Sequence, residues 1–133
     1  MQAGQSLAVF GCGAVGLSAI LAARAIGLTR IIAIDPKPYR REMALEFGAT
    51  HTLAPADDNV CLNCIAVYAR QTNNSTLRLQ SADQVKAASD GGVNFALDTS
   101  GDPNVLATAF SSLRSHVSSR VLPVFSMSNS RVM

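Results

Sequence analysis

Between Ser6 and Asp35 the chain reads SLAVFGCGAVGLSAILAARAIGLTRIIAID, which places Gly11, Gly13 and Gly16 between an apolar run and an Ala- and Leu-rich stretch. No other feature restricts the fold as tightly. Ser6–Phe10 has the β-branched and aromatic content of a buried parallel strand that stops at a turn. Ala14–Ile26, with Arg24 as its only charge, predicts a helix buried around nearly its whole circumference, and Gly27 marks its end. Arg30–Ile34 predicts the second strand, so the segment is a βαβ unit with glycines at its first turn.

The string GxGxxG recurs by chance, and its bland reading is a plain strand-to-helix turn. Asp35 has a bland reading too, as a turn residue before Pro36. Context decides between them: the glycines follow a strand, open a helix, and precede by nineteen residues an acid at the end of the next strand, counted from Gly16 to Asp35. In that constellation Gly11 permits the tight turn, Gly13 removes a Cβ that would meet a pyrophosphate, and Gly16 lets helix and strand approach. The unpaired N–H groups of the first helical turn and the helix dipole then face phosphate. Asp35 can accept from both adenosine ribose hydroxyls and repels a 2′-phosphate, which favours NAD over NADP. Lys37, Arg40 and Arg41 leave two readings open, a solvated charged face or contact with the adenosine end.

Downstream, Tyr39–Phe47 predicts a helix with Met43, Ala44 and Phe47 on one face, ended by Gly48, and His51–Leu53 a short third strand. VNFALD, from Val93 to Asp98, predicts a fourth strand. The turn TSG follows, then Asp102 as N-cap and Pro103 as first residue of a helix over NVLATAFSSLR. Arg120–Phe125 begins as a fifth strand, and Pro123 assigns it to a sheet edge. Strands alternating with helices imply an α/β fold of Rossmann type, a doubly wound parallel sheet. With 133 residues, 48% of them hydrophobic, the chain is one domain.

Net charge is +2 and the Lys and Arg residues are scattered, which argues against nucleic acid as a partner. No apolar stretch approaches the roughly 20 residues of a membrane span, and MQAGQSLAVFG lacks the pattern of a signal peptide. These features predict a soluble, cytoplasmic chain without a membrane partner. The three cysteines, Cys12, Cys61 and Cys64, read as reduced thiols. Cys61 and Cys64 have CxxC spacing, but a structural zinc needs a second pair that the sequence does not contain. His51 and His116 stand isolated, one at a strand end and one on the surface.

GQSLAVFGCGAVGLSAILAARAIGLTRIIAIDPKPYRREMALEFGATHTLAP, continued by GGVNFALDTSGDPNVLATAFSSLR, resembles the cofactor domain of medium-chain, zinc-dependent alcohol dehydrogenases, with the aryl- and benzyl-alcohol branch most alike. The resemblance implies that Gly11, Gly13 and Gly16 form the phosphate loop, with Ala14 and Val15 also donating backbone N–H groups. It implies Asp35 as the ribose acid and Arg40 as a basic contact to adenosine ribose or phosphate. Thr99, Ser100 and Gly101 match the loop lining the adenine and nicotinamide side, although TSG also reads as a turn. The catalytic and structural zinc ligands of the family precede its glycine loop, and Cys12, Cys61 and Cys64 do not match them. Zinc is therefore expected only in a domain upstream of this sequence, with no catalytic residue and no metal ligand here.

Two departures stand out. Val60–Gln84, about 25 residues, replaces what is usually a few and interrupts the expected third helix. An added helix with Val60, Cys64, Val67 and Tyr68 on one face, followed by a TNNST loop, is one reading. A retained intron is the other, since Val60-Cys61 is encodable as GTATGT and Gln84 as CAG. The second departure is a divergent tail from about residue 126, which leaves the sixth strand missing and puts the homo-oligomer of the full-length family in doubt. The expected function is the NAD-binding part of an alcohol dehydrogenase, incompetent in catalysis by itself. The alternatives are a truncated, non-catalytic dinucleotide-binding module and, third, an S-adenosylmethionine methyltransferase.

Overall fold

The computed structural model describes residues 1–55, 75–115 and 120–123. Cys61, Cys64, the amphipathic face from Val60 to Tyr68, His116, and the tail from residue 126 lie outside the described residues. Those described form β1 (Ser6–Phe10), α1 (Ala14–Ile26), β2 (Arg30–Ile34), α2 (Pro38–Phe47), β3 (His51–Leu53), α3 (Ser75–Ala88), β4 (Phe95–Asp98), α4 (Pro103–Ser111) and β5 (Arg120–Pro123).

All strand pairs are parallel and the sheet order is β3-β2-β1-β4-β5. The chain is therefore a doubly wound, Rossmann-like α/β domain. Alternation along β1 divides the core. Leu7 and Val9 join Leu17, Ile20 and Ala23 of α1 and Ala44 of α2 on one face of the sheet. Ala8 and Phe10 join Val85 of α3 and Ala109 of α4 on the other. Each fully buried Leu, Ile or Val contributes about 1.5–3 kcal/mol, and Leu7 and Val9 of β1 and Ile31 and Ile32 of β2 are such residues. Pro123 sits in β5 at the edge of the sheet among the described residues.

Several expectations are corrected by packing. α1 is buried along one stripe only, and Val15 and Leu21 are each 53% exposed. The sheet and α2 cover two sides of the helix, and the apolar residues beyond that stripe have no helix over them among the described residues. Met43 is exposed, which leaves Ala44 and Phe47 as the inward residues of α2. β4 starts at Phe95, two residues late, because Asn94 is held by side chains instead of a ladder: its Oδ1 accepts from Ser6 N at 3.0 Å and Ser6 Oγ at 2.9 Å. Val93 pairs with Leu113, and this isolated bridge ends α4 at Ser111, short of Arg114. Ser75 and Thr76, expected in a loop, are helical, and α3 runs unbroken from there into VKAA. Ala82, inside the family-atypical segment, is buried beside Val85.

Helix and turn approach each other closely under the glycines. A Cβ built on Gly16 falls 1.9 Å from the Gly11 carbonyl oxygen and 3.0 Å from its carbon, both backbone atoms. Gly16 is inside α1, where Ala ordinarily stabilises by about 1 kcal/mol. The sign of Gly16→Ala therefore tests the contact. We expect a loss of about 1–3 kcal/mol in urea denaturation, and a gain would show that helix and glycine turn are not in contact.

Candidate dinucleotide-binding site

The order β3-β2-β1-β4-β5 puts a topological switch between β2-β1 and β1-β4, and the crevice at the carboxyl ends of those strands is where such sheets bind ligands. Three turns meet there. Phe10 leads into the glycines, Ile34 into Asp35, and Asp98 into Thr99, with Phe10 in register with both Ile34 and Asp98. They enclose a cavity of about 400 Å³ whose walls include Gly11, Gly13, Asp35, Arg40, Thr99 and Ser100.

Asp35 holds this arrangement together. Its side chain is buried although it lines the cavity, and its Oδ2 accepts from Cys12 N at 2.8 Å while Oδ1 accepts from Lys37 N at 2.8 Å. Arg40 Nη1 lies 3.6 Å from Oδ2. A carboxylate has about four lone-pair sites, so two backbone donors leave capacity for further hydroxyl donors from the cavity side. Arg40 and Lys37 both stand near the ring of Tyr39, at 5.9 and 6.0 Å from its centroid. A hydrogen bond that Arg40 donates to Tyr39 pushes the Arg40 pKa up most, desolvation opposes it, and the charge of Asp35 adds to the rise. Arg40 is therefore a permanent cation at the cavity wall.

The glycine turn is fixed from both neighbouring strands. Gly11 N donates to Ile34 O at 2.8 Å, and Thr99 Oγ1 donates to Gly11 O at 2.8 Å and Phe10 O at 3.1 Å. Gly11 has φ +94°, and a Cβ there would lie 2.7 Å from Thr99 Oγ1. Gly13 differs, because a Cβ on it meets nothing within 4 Å. The space it leaves belongs to the cavity and not to this chain's own packing. Gly13 is also the N-cap of α1 and supplies no side-chain acceptor, whereas Asp102 caps α4 by accepting from Asn104 N at 2.8 Å. The first N–H groups of α1, those of Ala14 and Val15 among them, thus start the helix without a side-chain cap. An uncapped helix start beside an unfilled space is a cradle suited to a phosphate group.

Of the residues singled out in the sequence, Gly11, Gly13, Asp35, Arg40, Thr99 and Ser100 come together at the cavity. Ala14, Val15, Gly16 and Gly101 are not in its wall. Ala14 and Val15 are exposed at the helix start, Gly16 is packed under Gly11, and Gly101 is an exposed turn residue with φ +73°. Pro55, Ser81, Val105 and Thr108 line the cavity without having been singled out. Ser81 comes from the atypical segment and Thr108 from the buried side of α4, so nothing local in the sequence marks either. Asp98 is buried and accepts from Ser100 N at 2.9 Å and Ser100 Oγ at 2.6 Å, which shapes the turn carrying Thr99. Among the described residues no group of three or more His, Cys, Asp or Glu side chains is placed to hold a metal ion. No helix of the described residues is long and apolar enough to cross a membrane.

Fold and crevice define a Rossmann-like domain of the kind that takes dinucleotides. Comparison with known proteins makes the class definite. The family described as zinc-binding dehydrogenase matches residues 14–122. Geraniol dehydrogenase of Castellaniella defragrans is 42% identical over 106 residues, 80% of this chain and 23% of that protein. S-(hydroxymethyl)glutathione dehydrogenase of Saccharomyces cerevisiae is 31% identical over 82% of this chain and 24% of its own length. The crystal structure of benzyl alcohol dehydrogenase from Acinetobacter calcoaceticus superposes with a TM-score of 0.69 at 31% identity, covering 93% of this chain and 28% of that one. The chain belongs to the zinc-binding dehydrogenase family, among oxidoreductases named alcohol dehydrogenases, and it spans about a quarter of the length of the relatives it matches. Membership implies a dinucleotide cofactor, with NAD(P) and zinc as the cofactors of the family in general. It speaks against the methyltransferase alternative.

Cys12, inside the glycine turn, is 1% exposed and its thiol is pushed up from 9.0 to about 12, by burial first and then by the charge of Asp35, with Arg40 and Arg41 pulling the other way. A thiol that stays protonated is a poor nucleophile. The native thiol keeps its proton between pH 9.0 and about 12, where that of the unfolded chain loses it, so this group's contribution to stability falls as pH rises through the window. We expect Cys12 to escape iodoacetamide at pH 8 in the native chain and to be labelled in urea, as read by peptide mass spectrometry. Cys12→Ala should lose less stability than the unaltered chain between pH 9 and pH 11. Fast native labelling of Cys12 would contradict its burial.

Proposed function

We propose that this chain is the cofactor-binding part of a zinc-type alcohol dehydrogenase and that its dinucleotide is NAD(H) in preference to NADP(H). One observation carries the reading: a buried carboxylate with acceptor capacity left over and an uncapped helix start with an unfilled Gly13 position open into the same cavity.

In this reading the N–H groups at the start of α1, at Ala14 and Val15, hold the pyrophosphate with help from the helix dipole. Gly13 leaves its bulk room. Asp35 accepts from the adenosine ribose hydroxyls, while Phe10, Ile34 and Val105 supply apolar walls beside the hydroxyls of Ser81 and Thr108. The loop of Thr99, Ser100 and Gly101 borders the path toward the nicotinamide. A bound nicotinamide supplies hydride acceptance from an alcohol carbon, and this chain's task is to hold and orient it. The described residues do not fit zinc, since no ligand group converges among them. We therefore expect the purified 133-residue chain to bind NADH without oxidising primary alcohols, even with zinc supplied.

The chain has no Trp, so enhancement of NADH's own fluorescence is the readout of choice. We expect NADH to bind more tightly than NADPH by about tenfold or more, equivalent to about 1.4 kcal/mol. Gly13→Ala should abolish NADH binding while changing stability by under about 1 kcal/mol, the difference between Gly and Ala as N-caps. Asp35→Asn should shrink the preference for NADH over NADPH. Equal or tighter NADPH binding overturns the choice of NAD, and binding of neither overturns the cofactor reading.

A further inference from the structure

Two arginines open α2 where helix electrostatics disfavours them. The helix begins at Pro38, so Arg40 and Arg41 lie in or beside its first turn, which holds no acidic residue. The positive end of a helix dipole repels cations within that turn, so each guanidinium needs an answering partner. Arg40 finds Asp35, with Nη1 3.6 Å from Oδ2, and lines the cavity. Arg41 is not in the cavity wall. Its Nη1 turns back past the helix start and donates to Asp35 O at 2.8 Å and Pro36 O at 3.1 Å.

Those two carbonyls matter because the turn has few other handles. Its sequence is Asp35-Pro36-Lys37-Pro38, and neither proline has an N–H to donate. The two remaining donors are Asp35 N, which goes to Leu53 O at 3.3 Å, and Lys37 N, which goes to Asp35 Oδ1 at 2.8 Å. The Asp35–Pro36 peptide plane has no N–H and can be held only at the Asp35 carbonyl oxygen, whereas the Pro36–Lys37 plane is held at the Pro36 carbonyl oxygen and through Lys37 N. Arg41 holds both with one nitrogen. The carboxylate of Asp35 projects from the first of these residues, so its aim into the cavity depends on the same turn.

We propose that Arg41 is a positioning residue for the ribose-binding carboxylate: it bridges the Asp35 and Pro36 carbonyls, fixes the turn that aims Asp35 at the cavity, and does not itself touch the dinucleotide. This rests on the reading of the cavity as the NAD(H) site. It also assigns the second arginine of the pair to fold geometry at the site and leaves direct contact to Arg40.

The test titrates NADH and its analogue lacking the adenosine 2′-hydroxyl into the full chain, unaltered and as Arg41→Ala and Arg41→Lys. The unaltered chain should prefer NADH by about tenfold, as a hydrogen bond to a charged acceptor implies. Arg41→Ala should weaken NADH by a similar factor and bring the ratio of the two affinities close to one, because a misaimed carboxylate no longer distinguishes the ligands. Arg41→Lys, whose ammonium can reach the same carbonyls, should restore most of the ratio. An Arg41→Ala chain that binds both ligands more weakly with the ratio unchanged overturns the proposal, since that is what loss of stability alone produces. Unchanged NADH affinity in Arg41→Ala overturns it too. Failure of the unaltered chain to bind NADH overturns the site reading and the proposal with it, and is seen before any variant is made.

Discussion

A buried carboxylate accepting two backbone N–H groups from two different turns is the interaction on which the rest of the site depends. Asp35 is 1% exposed, and taking an ion out of water costs several kcal/mol unless its lone pairs are satisfied. Cys12 N and Lys37 N satisfy two of them, and Arg40 supplies the opposite charge at 3.6 Å. The bond to Cys12 crosses from the end of β2 to the turn after β1. The glycine turn and the acid are thus one structure: loss of the carboxylate would leave two N–H groups unpaired, at about 1–3 kcal/mol for each that is buried.

The neighbouring contacts extend this coupling across the sheet. Gly11 N reaches Ile34 O on the β2 side, and Thr99 Oγ1 reaches Gly11 O and Phe10 O on the β4 side. The turn after β1 is tied to both neighbours because β1 lies between them in the sheet order. This crowding also explains why glycines occupy it. A side chain on Gly11 would displace the Thr99 hydroxyl, and one on Gly16 would strike the Gly11 carbonyl. Of the three glycines of this turn, Gly13 is the one whose missing side chain is matched by space that the chain leaves unfilled.

The parts of this arrangement that were legible in the sequence are those written locally. β1, α1, β2 and β3 have the bounds that the apolar runs and glycine stops imply, and Gly27 and Gly48 end α1 and α2 in left-handed caps. Asp102 and Pro103 open α4 as an N-cap and first residue should. What depended on a neighbour was not legible. The partial burial of α1 is not written in its composition, which does not say which elements lie over a helix, and the start of β4 depends on Asn94 pairing with Ser6, 88 residues away. The helical start of α3 has no local signal, because STLRLQSADQ carries no sustained apolar stripe of helical period. Ser81 and Thr108 reach the cavity by tertiary packing alone, from two helices on the same face of the sheet.

Family membership implies NAD(P) as the class of cofactor, and in the proposed site the adenosine 2′ position falls to residues 35–41. Counting charges there misleads, since Lys37, Arg40 and Arg41 outnumber Asp35. Their partners matter more than their number. Arg41 is engaged with two carbonyls, and Arg40 with Asp35 and Tyr39. Lys37 lines the cavity with its ammonium 6.0 Å from the Tyr39 ring centroid, but a 2′-phosphate would need the two arginines drawn from their partners and would meet a carboxylate unable to swing away without releasing Cys12 N. Ribose hydroxyls ask for nothing to be broken, because they use the lone pairs of Asp35 that the backbone leaves over. The proposed preference for NAD therefore follows from the structural role of the acid. In that proposal Asp35 disfavours a 2′-phosphate because it is already committed to holding the glycine turn.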